Sequence, residues 1–443
     1  MIVPTAIEIF RLLPKKNCGK CNYPTCLAFA MQIANSKAKL QDCPFLSEEA
    51  LSALAASAAP PIRLVKFGVG SKAIEMGDET ELYRHEKRFF HPTAYAPSIS
   101  DSLDETAIVQ RLERISETKC ERVGQVLGFD AIAIKDESSD ARRFGAAVEA
   151  VTSKTELPII LVSRSPGIMK AGASAIAERH PLLYGADASN HTQMAAMAKD
   201  LNCPLVVSEG RGLNELADLV QKVKASGIED IVLDFGAGST KQLLERSSIV
   251  RKVSVKKTFR GLGYPILVNA GSGENAILKG LLATMKYGSL VLFDELSEVH
   301  AHPLFVLRQN IYTDPQVPIQ VKPGVYPVNA PSESSPILFT TNFSLTYFTV
   351  LSDVEKSKVP VWLLVVDTEG LSVMTAFSAG KLTPESVTAG LEASGAREKS
   401  KSREIIIPGM VSRMSGKLSE LTRMKVIVGP KESSGIPKFL KMQ

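Results

Sequence analysis

Short apolar runs alternate with amphipathic stretches through the middle of the chain. Seven runs predict strands at 131–135, 158–163, 181–184, 204–208, 230–235, 265–270 and 289–293, and residues 64–70 are a candidate for an eighth. Helical periodicity between them predicts helices at 145–154, 193–201, 213–225 and 276–287. Unbroken apolar strands that alternate with helices are typical of parallel βα units. Their regular spacing over about 250 residues favours a TIM (β/α)8 barrel over the alternative, an open doubly wound sheet.

The pattern differs on both sides of this central region. Residues 4–13, 27–38 and 47–56 are predicted helices, and Ala59-Pro60-Pro61 ends the last one. Such a small module needs a staple to be stable. A proline-rich stretch from Asp314 to Pro331 predicts a linker. Strands at 336–341, 362–366, 405–408 and 425–428 and helices at 385–393 and 417–422 follow it. The chain is thus predicted to be an α/β protein with three domains, 1–58, 59–322 and 323–443.

Composition excludes several classes of protein. The 443 residues are 44% hydrophobic and 22% charged, which is an ordinary globular mixture. The net charge of +5 is too small a surplus to predict nucleic-acid binding. The longest apolar runs, such as Val361–Val366, are too short to span a membrane. Glu8 and Arg11 interrupt the N-terminal apolar stretch, so no signal peptide is expected and the cytoplasm is the predicted compartment.

Four of the six cysteines lie close together, at Cys18, Cys21, Cys26 and Cys43. Four thiolates in a reducing compartment match the ligand count of a [4Fe–4S] cluster or of a tetrahedral zinc ion. A zinc ribbon uses two short Cys-x2-Cys pairs, whereas here three cysteines share one loop and the fourth is distant. Pro44 follows the last cysteine, as in ferredoxin-type ligation. The spacing therefore favours iron–sulfur, with a zinc staple as the alternative.

Other candidate sites have weaker patterns. The glycine-rich segments 236–239 and 271–273 follow apolar strands, where barrel enzymes bind anions, but tight βα turns are the favoured interpretation. The region after His302 contains no histidine. Small and hydroxylated residues instead follow its predicted strands, in the segments 340–346, 370–373 and 429–435. Such segments allow the backbone to approach a large polar cofactor closely.

These residues together resemble the family of corrinoid iron–sulfur protein large subunits, also described as gamma subunits of acetyl-CoA decarbonylase/synthase complexes. The resemblance spans essentially the whole chain. It rests on blocks in a fixed order, which are 13–21 with Cys26 and Cys43-Pro44, 75–85, 340–347, 367–373, 406–409 and 428–430. One departure is Lys20, which stands where the family has glutamate.

The resemblance implies an N-terminal [4Fe–4S] domain, a central TIM barrel and a C-terminal corrinoid-binding domain. Carried over by position, the four cysteines would hold the cluster. The corrinoid would be lined by Thr340, Thr346, Gly370, Leu371, Ser372, Val373 and Ser433. The absence of a histidine in this last region implies a corrinoid bound base-off, because the region cannot supply an imidazole ligand to cobalt.

The implied function is that of a methyl carrier in the reductive acetyl-CoA (Wood–Ljungdahl) pathway. A methyltransferase would pass a methyl group from a methyl-tetrahydropterin to the corrinoid cobalt, and acetyl-CoA synthase would take it. The cluster would reduce Co(II) back to Co(I). The chain would thus be a methyltransferase component without catalytic side chains of its own. Its implied partners are a small subunit in a heterodimer, the methyltransferase, acetyl-CoA synthase/CO dehydrogenase and a low-potential electron donor.

Two other functions remain open from the sequence. One is an electron-transfer subunit that reduces the corrinoid of another protein. The other is a zinc-stapled barrel with a methyltransferase site of its own.

Overall fold

The computed structural model describes residues 6–34, 38, 42–46, 60–84, 86, 89–236, 238–257, 259–313 and 318–443. The chain divides into two compact units, residues 1–120 with 128–312, and residues 121–127 with 313–443. The predicted helix at 47–56 and the predicted boundary between residues 58 and 59 lie outside the described residues. The division into three domains stays a prediction.

The described part of the first unit begins with two short helices, α1 (Ala6–Leu12) and α2 (Cys26–Ala34). Ile9 and Leu13 pack against Phe29 and Ala30 in a small core. This core also buries two of the cysteines, Cys26 and Cys43. The predicted helices at 4–13 and 27–38 therefore correspond to helices in the structure, and residues 4, 5 and 35–37 lie outside the described residues.

The remainder of the first unit is a barrel with additions. Of the strands between residues 65 and 293, β4 (Cys120–Arg122) and β5 (Gln125–Leu127) fall mainly within residues 121–127 of the second unit. The strands of the first unit are β1 (Val65–Phe67), β2 (Ile74–Met76), β3 (Ala94–Ser100), β6 (Ile132–Lys135), β7 (Ile159–Val162), β8 (Leu182–Ala186), β9 (Leu205–Ser208), β10 (Ile231–Asp234), β11 (Ile266–Gly271) and β12 (Gly288–Phe293). Its helices are α3 (Glu105–Glu117), α4 (Ala141–Thr152), α5 (Pro166–Ala175), α6 (His191–Asp200), α7 (Leu213–Ala225), α8 (Thr240–Lys256), α9 (Glu274–Met285) and α10 (Glu298–Tyr312).

Eight parallel strands close the barrel in the order β3-β6-β7-β8-β9-β10-β11-β12, and β12 pairs with β3. This confirms the prediction of a TIM barrel within an α/β fold. Each of the seven strands predicted between residues 131 and 293 forms a barrel strand. Their runs of β-branched and leucine residues are buried on both faces, as parallel strands under helices require.

The prediction that residues 64–70 supply the eighth strand of the barrel is wrong. Residues Val65–Phe67 instead pair antiparallel with Ile74–Met76 in the hairpin β1–β2. The eighth barrel strand is β3, in which Pro97 and small residues interrupt the apolar pattern and weaken its strand character. Pairing passes from β12 to β6 directly after Pro97, so the proline lies at a change of neighbour rather than within one ladder. Small residues at this strand leave room for the barrel core.

The second unit contains a five-stranded sheet with helices on both faces. Its strands are β13 (Gly324–Val328), β14 (Ile337–Thr341), β15 (Val361–Val366), β16 (Glu404–Ile407) and β17 (Lys425–Val428). Its helices are α11 (Ser344–Ser357), α12 (Val373–Ser378), α13 (Pro384–Ala393), α14 (Ala396–Lys399), α15 (Ser415–Thr422) and α16 (Ile436–Met442). The sheet order is β13-β15-β14-β16-β17.

Alternate residues of the central strands enter two different cores. Phe339, Leu364 and Ile405 pack on one face, whereas Leu338 and Ile406 pack on the other. Because the sheet is covered on both faces, hydrophobic and polar residues do not alternate along these strands. The four strands predicted after residue 335 are all present.

The predicted linker at 314–331 contains a strand, contrary to that prediction. β13 lies at the edge of the sheet and pairs antiparallel with β15. Pro327 lacks an N–H group, which an edge strand tolerates because only one side of it is paired. Among the described helices, none is long and apolar enough to cross a membrane.

Candidate cofactor sites

A cavity of about 270 Å3 lies in the second unit. Five of the residues predicted to contact a corrinoid line its wall, namely Thr340, Thr346, Ser372, Val373 and Ser433. They come from the end of β14, the start of α11, the start of α12 and the segment before α16. The carboxyl ends of parallel strands are the usual position for a ligand in an open α/β sheet.

Gly370 and Leu371 do not line this cavity and instead shape the loop beside it. The Gly370 N–H donates to Oδ1 of Asn342 at 3.0 Å, and the Leu371 carbonyl accepts from the Thr368 hydroxyl at 2.9 Å. Gly370 has φ +76°, and a Cβ there would lie 2.8 Å from Cγ of Gln320. Glycine is therefore required for the loop conformation, and a direct contact of Gly370 or Leu371 with a cofactor stays a prediction.

Asn342 organises the loop although sequence reasoning did not select it as a site residue. Its side chain is 1% exposed. Its Oδ1 also accepts the N–H and the hydroxyl of Thr368, both at 3.0 Å, and its Nδ2 donates to Asp367 at 2.9 Å. The sequence feature that could have identified Asn342 is its position in the Thr-Thr-Asn block that supports the family resemblance.

Three buried hydroxyl groups near the end of β14 have no hydrogen-bond partner among the described residues. They belong to Thr340, Thr341 and Ser344, none of which is more than 1% exposed. Only the first of these side chains lines the cavity. A buried hydroxyl without a partner is costly, so its presence at a cavity wall is typical of a site that a polar ligand completes.

The lining also includes Ser433, whose hydroxyl interacts with the carboxylate of Asp353. Burial acts to raise the pKa of Asp353, but hydrogen bonds from Lys356 and Ser433 outweigh it and lower that pKa. Lys356 Nζ lies 3.0 Å from Oδ1 of Asp353. Ser433 therefore lies beside a charged pair at the cavity.

The remainder of the lining is mostly apolar and was not predicted. It includes Val350, Met374, Pro408, Met410 and Pro430. The side chains of Met374 and Met410 are 40% and 45% exposed, so the cavity presents flexible apolar surface. A wall with apolar area and a few placed polar groups suits a large, mainly apolar ring with polar substituents.

The cysteine loop is held by its own hydrogen bonds. The Asn17 N–H donates to Sγ of Cys26 at 3.4 Å, and the Cys26 N–H donates to Oδ1 of Asn17 at 2.8 Å. Asn17 has φ +46° and Gly19 φ +70°, so the backbone curls between them. An amide that donates to a cysteine sulfur is the type of contact that tunes a metal cluster.

The four predicted ligands differ in exposure. Cys26 and Cys43 are buried, Cys21 is half-buried and Cys18 is exposed. Among the described residues, no three side chains of histidine, cysteine, aspartate or glutamate converge as a preformed metal site. The donor set suits an iron–sulfur cluster, and metal binding often completes the folding of such loops. The assignment of these four cysteines as ligands stays a prediction.

Lys20, the residue that departs from the family pattern, lies beside an aromatic ring. Its Nζ is 5.0 Å from the centroid of Phe45, and Nζ of Lys16 is 4.5 Å from the same centroid. The ring therefore offers both ammonium groups a cation–π contact.

The glycine-rich segments of the barrel use their amides internally. The Gly236 N–H donates to Asp234 at 2.9 Å, the Gly238 N–H to Gln242 at 3.2 Å, and the Gly271 N–H to Asn269 at 3.2 Å. These amides are not directed at an anion, which agrees with the favoured interpretation of tight turns.

Comparison with known proteins reveals similarity over almost the whole chain. Residues 64–440 match the family described as CO dehydrogenase/acetyl-CoA synthase delta subunit, and residues 13–45 match the family described as "Putative Fe-S cluster". The corrinoid/iron-sulfur protein large subunit of Moorella thermoacetica is 46% identical over 99% of this chain and 98% of its own length. The acetyl-CoA decarbonylase/synthase complex subunit gamma 1 of Methanosarcina mazei is 35% identical over 100% of this chain and 98% of its own length.

Similar solved structures include two dihydropteroate synthases. The enzyme from Coxiella burnetii is 14% identical and covers 50% of this chain and 94% of its own, with a TM-score of 0.39. The enzyme from Thermus thermophilus is 18% identical and covers 56% of this chain and 98% of its own, also with a TM-score of 0.39.

Proposed function

Because the chain belongs to the CO dehydrogenase/acetyl-CoA synthase delta subunit family, we propose that it is a methyl-group carrier that holds a corrinoid and an iron–sulfur cluster. The observation that carries this proposal is the cavity of the second unit, with its unpartnered Thr340 hydroxyl and its apolar wall. When bound, the corrinoid would supply a cobalt ion that carries the methyl group, and the cluster would supply low-potential electrons.

The residues of this chain would bind and orient the corrinoid. The Thr340 hydroxyl is a donor and acceptor for a polar substituent of the ring. Ser433 lies beside Asp353, and Ser372 lies at the N-terminus of α12, where backbone N–H groups can also donate. Met374 and Met410 would cover the apolar face of the ring and limit the access of water to it.

The cobalt would have no histidine ligand from the second unit. The sequence contains no histidine after His302. A base-off corrinoid without a nitrogen donor is easier to reduce, because removing an axial donor costs the higher oxidation states more than Co(I). We therefore propose a base-off cobamide, which an electron from the cluster can return to the nucleophilic state.

The first unit would supply the cluster through Cys18, Cys21, Cys26 and Cys43. The N–H of Asn17 would stabilise the negative charge of the Cys26 sulfur. Free thiols in this arrangement require a reducing compartment, so we propose the cytoplasm as the location of the protein.

We propose that the chain acts as the carrier component of a methyltransferase system rather than as a complete catalyst. A small subunit would form the second wall of the corrinoid site, because a cavity of about 270 Å3 is small beside a corrin ring. A methyl-tetrahydropterin methyltransferase would donate the methyl group, acetyl-CoA synthase would accept it, and a low-potential donor would reduce the cluster.

Absorption and electron paramagnetic resonance spectra of anaerobically purified protein test the proposal. We expect one corrinoid and four iron atoms per chain, with transfer of a labelled methyl group to the corrinoid by the methyltransferase. Iron without corrinoid, in protein produced with a corrinoid supply and with the small subunit, would support an electron-transfer subunit. Zinc without iron would support a zinc-stapled module. Either result contradicts the proposal.

A further inference from the structure

The loop between α1 and α2 presents lysines beside the cysteines that are the predicted cluster ligands. Residues 15–20 are all exposed, and they include Lys15, Lys16 and Lys20 as well as Cys18. Lys20 follows Cys18 by two residues, which can span at most about 7 Å of chain. These lysines therefore belong to the exposed edge of the cysteine loop and not to a distant face of the protein.

Two of these lysines lie over one aromatic ring. Nζ of Lys16 and Nζ of Lys20 are 4.5 and 5.0 Å from the centroid of Phe45. The two ammonium groups are thus at most about 10 Å apart, close to the screening length of about 8 Å at physiological salt, so their fields combine. Phe45 is 37% exposed and follows the predicted ligand Cys43 by two residues. We call Lys15, Lys16, Lys20 and Phe45 the lysine patch.

The positive charge of the lysine patch is not balanced by carboxylates of the described residues. Lys15, Lys16 and Lys20 contact aromatic rings, and none of them forms an ion pair within the described part of the chain. By sequence, residues 1–46 contain six basic and two acidic side chains, a net charge of +4, whereas the whole chain has a net charge of +5. The surplus is concentrated around the cysteines, and such a concentration attracts partners of opposite charge and speeds their association.

The exposed edge of the cysteine loop is also where an electron would enter. Cys26 and Cys43 are buried, whereas Cys18 is exposed and Cys21 is half-buried. Because electron transfer between proteins slows steeply with distance, a donor must dock where the cluster ligands approach the surface. That edge carries the lysine patch, so a protein that reduces the cluster meets these positive charges first.

We propose that the lysine patch docks an acidic electron-transfer protein, which reduces the cluster of this chain. One electron leaves the reduced centre of the donor and enters the cluster, no bond forms and no proton moves. The interface is small and transient, as electron-transfer complexes typically are, with Phe45 as its apolar centre and the ammonium groups as its rim. The inference rests on the proposed function, since it requires a cluster held by the four cysteines.

The test compares Lys20→Glu with Lys252→Glu in the full-length holoprotein. Glutamate is the residue of the family pattern at position 20, so the first variant should fold and retain its iron. Lys252 is an exposed lysine on helix α8, and both variants change the net charge equally. Titration calorimetry measures binding of an oxidised, acidic plant-type [2Fe–2S] ferredoxin. At an ionic strength of about 0.01 M, where screening is weak, we expect about tenfold weaker binding for Lys20→Glu and unchanged binding for Lys252→Glu.

The kinetics of cluster reduction separate docking from an effect on the cluster itself. With reduced ferredoxin, the rate constant for Lys20→Glu should fall about tenfold at low ionic strength and approach that of the unaltered protein at about 1 M, where charges are screened. Reduction by the methyl viologen radical, a small cation, should be no slower in this variant. A lysine that acted only on the reduction potential of the cluster would affect both reductants in the same direction.

Three results overturn the inference and leave the proposed function intact. They are equal effects of Lys20→Glu and Lys252→Glu, binding of a basic cytochrome c as tight as that of the acidic ferredoxin, and slower reduction of Lys20→Glu by both reductants. Iron content and the paramagnetic resonance spectrum of the unaltered protein report on the proposed function separately. A protein without a four-iron cluster overturns both the inference and the proposed function.

Discussion

Replacement of Thr340 by valine tests whether its hydroxyl destabilises the corrinoid-free protein and strengthens corrinoid binding. The Thr340 hydroxyl is buried and has no partner among the described residues, and Thr340 lines the cavity of the second unit. Valine has nearly the same shape but carries a methyl group in place of the hydroxyl. We therefore expect Thr340→Val to stabilise the corrinoid-free protein and to weaken corrinoid binding.

The expected changes in stability and affinity follow from the hydroxyl being unpartnered without the corrinoid and hydrogen-bonded with it. A buried hydroxyl without a partner costs about 1–3 kcal/mol, so the corrinoid-free variant should gain about 1 kcal/mol, or roughly 4 °C in the melting temperature of this unit. In the loaded protein the lost hydrogen bond costs about 1 kcal/mol. The difference, about 2 kcal/mol, corresponds to a roughly thirtyfold weaker corrinoid affinity.

The assay is thermal unfolding of corrinoid-free and corrinoid-loaded protein, together with a corrinoid titration. Thr341→Val is the matched control, because this adjacent hydroxyl is also buried and unpartnered but does not line the cavity. It should stabilise both forms equally and leave corrinoid affinity unchanged. Equal shifts of the two forms by Thr340→Val, or unchanged corrinoid affinity, would refute the reasoning.

Three further predictions concern the cluster, the cobalt and acid stability. Replacing any one of the four clustered cysteines by alanine should abolish the iron signal in metal analysis. Cys203→Ala, which removes a buried thiol of the barrel, should retain that signal. Iron retained in all four variants contradicts the ligand assignment. Paramagnetic resonance of the Co(II) form should lack axial nitrogen splitting, and a splitting lost on replacing a histidine would show that the barrel supplies a ligand. Hydrogen bonds from Arg211 lower the pKa of Glu209 from 4.5 to about 2. Because this folded pKa is depressed, the contribution of Glu209 to stability is complete above about pH 4.5 and is lost as the pH falls toward 2. Urea unfolding between pH 7 and 2 should show a shallower acid loss for Glu209→Gln, and an unchanged slope would contradict this.

The barrel was predictable because its strands and helices differ strongly in local pattern. Runs such as Ile159–Val162 are buried on both faces, and this burial is encoded in adjacent residues. β3 was missed because its alanine, serine and proline residues have no such run. Its status as a strand depends on its two neighbours, β12 and β6, which belong to distant segments of the chain.

The same distinction applies to the edge strand β13. Pro327 and its neighbours predicted a linker, since proline cannot donate to a ladder. The strand exists because β15 offers one free edge, and the position of that edge follows from the order of the whole sheet.

The sequence by itself determined the α/β class, the barrel, the cysteine spacing and the family resemblance. These depend on residue types and on short-range periodicity, which any one segment carries alone. Only the tertiary structure decided that Thr340, Ser372 and Ser433 share one cavity while Gly370 supports the loop beside it. It also decided that polar side chains from five strands meet at the mouth of the barrel. The physical reason is that a cavity is formed by side chains far apart in the chain, and their convergence is set by strand order and register.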